Sequence, residues 1–117
     1  MKHLILGGAR SGKSRFAEGL ALASDKQLIY IATAQGLDDE MQQRISHHQH
    51  QRETRWQTIE EPITLAATLA QYADKNTCIL VDCLTLWLTN VLLAGEVIFR
   101  REYTALLKTV PELAGDI

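Results

Sequence analysis

The sequence predicts an α/β fold in which a mostly parallel sheet is covered by helices on both faces. Short apolar runs alternate along the chain with longer segments whose apolar residues recur at helical spacing. The short runs are apolar throughout, which is typical of parallel strands that are buried on both faces. A chain of 117 residues has the length of one domain. We therefore expect residues 1–117 to form a single domain.

The first half of the chain contains two apolar runs and two helical segments. Residues 2–6 predict a short buried strand, and residues 13–23 predict a helix whose apolar side chains share one face. Residues 27–32 (QLIYIA) predict a second strand, since they are rich in β-branched and aromatic residues. Residues 38–51 predict a helix that carries three acidic residues in its first turn, where the helix dipole favours anions.

The second half continues the alternation. Pro62 suits the first turn of a helix, because a backbone N–H is not required there. Gly95 separates two further helical segments. The predicted elements are a short strand over 55–59, a helix over 62–72, an apolar strand over 77–81, and helices over 84–94 and 97–110.

A glycine-rich segment lies between the first predicted strand and the first predicted helix. It matches G-x-x-x-x-G-K-[ST], the pattern of a P-loop, whose backbone N–H groups point at phosphate oxygens. We expect Lys13 to reach the β- and γ-phosphates of a nucleotide and the Ser14 hydroxyl to ligate Mg²⁺. The predicted nucleotide-binding residues of this loop are Gly7, Gly8, Ala9, Arg10, Ser11, Gly12, Lys13 and Ser14. The domain is accordingly predicted to be a P-loop NTPase-type nucleotide-binding domain.

A carboxylate ends the apolar strand over residues 77–81. P-loop proteins place such an aspartate beside the phosphate loop, where it holds Mg²⁺ or one of its waters. Asp82 is therefore predicted to bind nucleotide and metal together with Ser14. A helix-capping role for Asp82 is the alternative.

Composition excludes several other classes of function. The formal net charge is −2 and the sequence pI is about 6.0, so nothing indicates a nucleic-acid partner. Cys78 and Cys83 do not form a CxxC pair and lack further cysteines for a zinc site. The apolar run before Gly7 is too short for a signal peptide, and no run in the sequence approaches the length of a membrane span, so we expect neither feature. We expect a cytoplasmic location, with both cysteines as free thiols.

Three of the four histidines lie close together, at His47, His48 and His50. On a helical wheel, His48 falls inside the apolar stripe of its helix, His50 on the opposite side, and His47 on the flank of the stripe. The spacing therefore favours His47 as the histidine that meets a ligand at the edge of a cleft. A structural or solvent-exposed role for all three remains open from spacing alone.

Several of these segments together resemble one family, the bifunctional adenosylcobinamide kinase / adenosylcobinamide-phosphate guanylyltransferase of coenzyme B12 biosynthesis. The segments that carry the resemblance are GGARSGKSRFAE at 7–18, YIATAQGLDDEMQQRI at 30–45, the pair His47-His48, Trp56 with Thr58 and Glu60, and VDCLTLWLTN at 81–90. The phosphate loop is shared with many NTPases, whereas two blocks are much more specific: LDDEM with the following Arg-Ile and His-His pairs, and DCLTLW with the following Asn90.

The resemblance implies two reactions: phosphorylation of adenosylcobinamide, and transfer of GMP from GTP to adenosylcobinamide phosphate. It identifies His47 as the residue that carries the guanylyl group, and it implies that Lys13 assists catalysis. ATP and GTP are the expected substrates and Mg²⁺ the expected cofactor. The further nucleotide-binding residues that it suggests are Thr33, Ala34, Arg52 and Glu60. A homo-oligomer, a trimer by resemblance, is expected of the full-length protein.

Chains of this family continue beyond the point that corresponds to Ile117, so we expect this chain to be C-terminally truncated relative to the family. An exposed apolar strand edge, marginal stability and self-association are expected consequences. Two other functions stay open at this stage. One is a generic P-loop small-molecule kinase without a histidine intermediate, and the other is an inactive fragment that only binds nucleotide.

Overall fold

A computed structural model describes residues 1–7, 12–34 and 56–117 of the chain. The predicted helix over 38–51 lies outside these residues. The elements are α1 (Lys13–Ala23), β1 (Gln27–Ala32), β2 (Trp56–Glu60), α2 (Leu65–Tyr72), β3 (Thr77–Asp82), α3 (Leu84–Leu93), α4 (Glu96–Thr109) and a final 3₁₀ turn (Val110–Glu112). The α/β fold class predicted from the sequence is confirmed.

The three strands form a parallel sheet in the order β2-β1-β3. β1 is therefore the central strand, and its residues 28–32 are all buried. This explains why QLIYIA is apolar throughout, since a central parallel strand has helices or loops against both faces.

Side chains of β1 and β3 alternate between two cores, as the two-residue period of a strand requires. The larger core packs Ile29, Ile31 and Ile79 against side chains from α2 and α3, with α4 adding partly buried apolar residues. The smaller core packs Leu28 and Cys78 against Ala21 of α1. Helices thus cover both faces of the sheet, as the sequence predicts.

The predicted strand over residues 2–6 is absent, and this prediction was wrong. Residues 1–7 are irregular, and the side chains of Leu4 and Leu6 are 70% and 82% exposed. The position beside β3 is occupied instead by Asp116, which bridges to Cys78 in parallel register. Met1 and His3 then hydrogen-bond to Ile117, on the far side of that segment. Because Asp116 takes this position, residues 2–6 do not pair with β3, and their side chains stay outside the core.

Most other predicted boundaries differ from the observed ones by at most one residue. The exception is α2, which begins at Leu65 rather than at Pro62. Pro62 lies in a bend, and the Glu61 carboxylate accepts hydrogen bonds from the N–H groups of Ile63 and Thr64 before the helix starts. Glu61, whose side chain organises this turn, precedes Pro62, so the first helical residue is Leu65 rather than the proline.

Several large apolar side chains of the described residues remain exposed. Leu84, Leu88 and Leu92 follow one another at four-residue spacing on α3 and are 39%, 37% and 55% exposed. The self-association expected from the sequence stays a prediction, and this stripe is one surface on which it could occur.

Candidate nucleotide site at the carboxyl edge of the sheet

The direction of α1 sets the position of the residues at its N-terminus. Ala21, near the end of α1, packs against Leu28 and Cys78, which are the second residues of β1 and β3. Lys13 lies eight residues back from Ala21, a rise of about 12 Å. Asp82 lies four residues on from Cys78, about 13 Å along the strand. Because α1 packs against β3, we infer that the helix runs back along the sheet from Ala21 and that its N-terminus comes level with the carboxyl ends of the strands.

The N-terminus of α1 has the backbone geometry of an anion-binding turn. Gly12 precedes the helix with φ of 84°, a left-handed conformation that glycine adopts without steric cost. Lys13 and Ser14 occupy the first turn and are both half-buried, and the positive end of the helix dipole lies here. Gly7 is exposed. The other loop residues predicted to cradle phosphate lie outside the described residues; they are Gly8, Ala9, Arg10 and Ser11.

An open cleft adjoins this turn. Its walls are Gly12, Lys13 and Phe16 on one side and residues 4–6 on the other. Phe16 is 61% exposed although it belongs to the first turns of α1. The cleft thus places a lysine and the helix N-terminus beside exposed apolar side chains.

Strand register brings further predicted site residues to the same edge. Ala32 in β1 is paired with Glu60 in β2 and with Asp82 in β3, so the last residues of all three strands are aligned. Ala34 follows β1 and is half-buried, while the Glu60 side chain is exposed. The arrangement therefore gathers the described candidates Ala34, Glu60 and Asp82 at the carboxyl edge of the sheet.

The Asp82 carboxylate is held by a tyrosine of the central strand. The Tyr30 hydroxyl donates a hydrogen bond of 2.6 Å to Asp82 Oδ2. Tyr30 is 5% exposed, and its ring meets the Trp56 ring edge to face at a centroid distance of 6.4 Å. Tyr30 and Leu28 are two residues apart in β1 and so share the α1 face of the sheet. Asp82 therefore lies on that face, on the same side as Lys13 and Ser14.

Thr33 ties the end of β1 to the end of β3. Its hydroxyl donates to the carbonyl oxygen of Cys83 at 2.7 Å and accepts from the Cys83 N–H at 2.9 Å. The Thr33 N–H also donates to the carbonyl oxygen of Asp82. Thr33 is fully buried, so its hydroxyl is committed to the backbone that follows Asp82. Its predicted role in nucleotide binding stays a prediction.

Two side chains of α3 support the loops at this edge. The Asn90 amide donates to the carbonyl oxygens of Thr33 and Pro62, at 2.8 and 3.1 Å. The Trp87 indole N–H donates to the carbonyl oxygen of Ile63 at 2.8 Å, and its ring is buried in the larger core. The segment VDCLTLWLTN at 81–90 noted in the sequence thus includes residues that support the loops after β1 and β2.

Glu61 and Cys78 are titratable groups near the sheet whose pKa values are shifted. Burial raises the pKa of Glu61, but hydrogen bonds from the N–H groups of Ile63 and Thr64 and from nearby hydroxyls outweigh it, so the pKa is lowered. Burial raises the pKa of the Cys78 thiol. Cys78 and Cys83 are both free thiols, as expected from the sequence, and the protonated form of Cys78 is favoured.

The donor set at the edge fits Mg²⁺. A serine hydroxyl and a carboxylate are hard oxygen ligands, and Mg²⁺ is commonly bound by one or two protein oxygens together with water and substrate phosphates. Within residues 1–7, 12–34 and 56–117, no group of three or more His, Cys, Asp and Glu side chains is placed to hold a metal ion. A site of two protein ligands completed by a nucleotide is consistent with both observations.

Sequence reasoning missed Tyr30 and Asn90 as supports of the site. A usable signal existed for Tyr30, because a buried tyrosine hydroxyl in an otherwise apolar strand needs a hydrogen-bond partner. His47 and Arg52, which were predicted to carry the guanylyl group and to bind nucleotide, lie outside the described residues. Their roles stay predictions.

Comparisons with known proteins identify the family of the chain. The family described as cobinamide kinase / cobinamide phosphate guanyltransferase matches residues 3–117. The chain is 54% identical over its whole length to the bifunctional adenosylcobalamin biosynthesis protein CobP of Pseudomonas aeruginosa and spans 68% of that protein. It is 45% identical to the bifunctional adenosylcobalamin biosynthesis proteins CobU of Escherichia coli and Salmonella typhimurium, with 79% and 80% of this chain aligned. The aligned parts are 50% and 51% of those longer proteins. The chain therefore belongs to the cobinamide kinase / cobinamide phosphate guanyltransferase family.

Proposed function

We propose that this chain binds GTP and ATP at the carboxyl edge of its sheet and carries out the two reactions for which its family is named. In the first, a phosphoryl group passes to adenosylcobinamide. In the second, GMP passes from GTP to adenosylcobinamide phosphate. The observation that carries the proposal is that Asp82 ends β3 on the face of the sheet that α1 covers, while α1 itself begins at a left-handed glycine turn.

We assign a role to each described candidate residue from its position. Gly12 begins α1 in a left-handed conformation, so that the N–H groups of the first turn can meet phosphate oxygens. Lys13 places a positive charge on the β- and γ-phosphates, where charge develops as the bond to the leaving group breaks. Ser14 and Asp82 would hold Mg²⁺, which when bound neutralises phosphate charge. Glu60 and Ala34 lie at the same edge, where we expect them to line the nucleotide.

For the second reaction we propose His47 as the nucleophile. A neutral imidazole nitrogen attacks the α-phosphorus of GTP, a P–N bond forms, and the P–O bond to the leaving pyrophosphate breaks. A phosphate oxygen of adenosylcobinamide phosphate then attacks the same phosphorus, the P–N bond breaks, and the imidazole is regenerated. Covalent catalysis thereby divides one difficult transfer into two steps. The position of His47 on its predicted helix and the family match support this assignment.

We also infer where in the cell the protein acts and in which oligomeric state. Two free thiols are typical of a reducing compartment, and we propose a cytoplasmic location. Among the described residues, no helix combines the length and the apolar character needed to cross a membrane. We also propose that the protein acts as a homo-oligomer, a trimer by resemblance, with adenosylcobinamide and nucleotides as its other partners.

Labelling with GTP tests the proposal. Incubation with GTP labelled at the α-phosphate and Mg²⁺ is expected to leave an acid-labile label on the chain. His47→Ala is expected to abolish that label, whereas His48→Ala and His50→Ala, which serve as matched neighbours, retain it. A label that survives His47→Ala and disappears in His48→Ala would refute the assignment of the nucleophile. The absence of any label on a folded wild-type chain that binds GTP would refute the guanylyl transfer, and a generic P-loop kinase would be the better reading.

A further inference from the structure

Tyr30 is buried in the centre of the sheet, and its hydroxyl contacts the carboxylate at the end of the neighbouring strand. Tyr30 and Asp82 are 52 positions apart in the chain, and their hydrogen bond of 2.6 Å is short, as is usual when the acceptor is charged. The pairing is enforced by the sheet, since Tyr30 lies opposite Leu80, two residues before Asp82. The hydroxyl therefore reaches along one face of the sheet to the carboxyl edge.

The Tyr30 side chain, which donates this hydrogen bond, is held more firmly than a surface side chain would be. Tyr30 lies on the central strand β1, which is bonded to β2 on one side and to β3 on the other. Its ring is 5% exposed and meets the Trp56 ring at an interplanar angle of 85°. A side chain confined in this way has little freedom to follow a moving acceptor, so it fixes the acceptor instead.

The Asp82 carboxylate, which accepts this hydrogen bond, still has lone pairs that can bind a cation. A carboxylate has two oxygens with about four lone-pair sites, and the Tyr30 hydroxyl occupies one site on Oδ2. Asp82 is half-buried rather than enclosed. Hydrogen bonds that orient a ligating carboxylate from behind are a general feature of metal sites, where they fix the geometry in which the cation is received.

We propose that Tyr30 is a positioning residue for the nucleotide-bound Mg²⁺ ion, acting by holding the Asp82 carboxylate in the orientation that receives the cation. This inference rests on the metal role of Asp82 advanced under the proposed function. It adds a residue that touches neither the nucleotide nor the metal and whose effect is confined to the Mg²⁺-dependent part of binding.

Tyr30→Phe removes the hydroxyl and keeps the ring that packs against Trp56. Tyr103→Phe is the matched control, since Tyr103 is 44% exposed on α4, outside the proposed site. Binding of α,β-methylene-GTP, which cannot release pyrophosphate, is measured by calorimetry at increasing Mg²⁺ concentration and again in EDTA. Tyr30→Phe is expected to raise the half-saturating Mg²⁺ concentration by about tenfold or more, a typical effect of removing an outer-shell partner. The affinity of Tyr30→Phe for the nucleotide in EDTA is expected to equal that of the wild type. For Tyr103→Phe, both the affinity in EDTA and the half-saturating Mg²⁺ concentration are expected to equal the wild-type values.

A purely structural role for the hydroxyl predicts a different result, namely equal losses of affinity with and without Mg²⁺. That result, or an unchanged Mg²⁺ requirement, overturns the inference. Asp82→Asn and the double variant complete a cycle: if Tyr30 acts through Asp82, the double variant requires no more Mg²⁺ than Asp82→Asn alone. A further increase in the double variant also overturns it.

The same cycle separates the two proposals. If Asp82→Asn leaves the Mg²⁺ requirement unchanged, the metal role of Asp82 fails, and the inference about Tyr30 fails with it. If Asp82→Asn raises the requirement and Tyr30→Phe does not, only the inference about Tyr30 fails.

Discussion

Replacing Thr33 with valine removes the hydroxyl that joins β1 to β3 and keeps the shape of the side chain. The hydroxyl makes two hydrogen bonds, both to the backbone of Cys83. Thr33 is 0% exposed, so water cannot easily replace the lost partner. The substitution therefore tests whether this contact supports the edge of the sheet on which the proposed site is built.

The magnitude follows from the two bonds. Each contributes about 0.5–1.5 kcal/mol net. The Cys83 carbonyl oxygen still accepts from the Trp87 N–H, but the Cys83 N–H loses the Thr33 hydroxyl as its acceptor, which adds to the loss. We therefore expect Thr33→Val to cost about 2–4 kcal/mol. Thr33→Ser is the control, because it keeps the hydroxyl and removes one methyl group, at a cost of about 1 kcal/mol.

Thermal melting without ligand measures the difference. For a domain of this size, about 1 kcal/mol corresponds to a shift in Tm of roughly 4 °C, so the two variants are readily distinguished. A loss for valine that is no larger than the loss for serine would refute the reasoning. If the hydroxyl served the nucleotide instead of the sheet, valine would weaken GTP binding while the Tm of the free chain stayed unchanged.

Three further substitutions test stability elsewhere in the fold. Gly115→Ala is expected to lower the free energy of unfolding by about 1–3 kcal/mol, because φ is 85° and a Cβ would overlap the Asp74 carbonyl oxygen and lie 2.7 Å from that of Thr77. Gly19 is an exposed residue of α1, and apart from its chain neighbours and the backbone of its own helix no described atom lies within 4 Å of the new Cβ. Gly19→Ala is therefore expected to raise the free energy of unfolding by about 0.5–1 kcal/mol; shifts of the same sign for the two variants in thermal melting would contradict this account. Glu61→Gln is expected to cost about 1–2 kcal/mol near neutral pH. Because the pKa of Glu61 is lowered in the folded state, its contribution is present above the ordinary pKa of about 4.3 and is lost as pH falls through the folded value. Urea unfolding at neutral and acidic pH checks this, and a difference that persists undiminished in acid would show that the carboxylate charge is not involved.

Local sequence patterns were sufficient for the elements whose signals are local. The helix α1 and the strand β1 have the predicted bounds, since Gly12 marks the start of the helix and QLIYIA is apolar throughout. The predicted strand over residues 2–6 failed for a tertiary reason. Its apolar pattern is that of a strand, but a strand forms only beside a partner, and Asp116 occupies the position next to β3.

The same distinction holds for the site. The phosphate-loop motif and Asp82 could be predicted from sequence, because glycine spacing and a strand-ending carboxylate are local features. The contacts that support Asp82 and its neighbours could not, because they join residues 50 to 57 positions apart. Strand register decides that Tyr30 lies beside Asp82, and the packing of α3 decides that Asn90 reaches Thr33.

The central claim is that the N-terminus of α1 forms the nucleotide site, and Lys13→Ala tests it most directly. Lys75→Ala is the control, since Lys75 is exposed in the turn before β3, at the opposite edge of the sheet. We measure GTP affinity with Mg²⁺ and the rate at which label from α-labelled GTP enters the chain. Losing one preorganised charge contact costs about 3 kcal/mol, so Lys13→Ala is expected to lower the labelling rate by about a hundredfold or more, while Lys75→Ala behaves as the wild type. Near-normal GTP affinity and labelling in a folded Lys13→Ala variant would contradict the account.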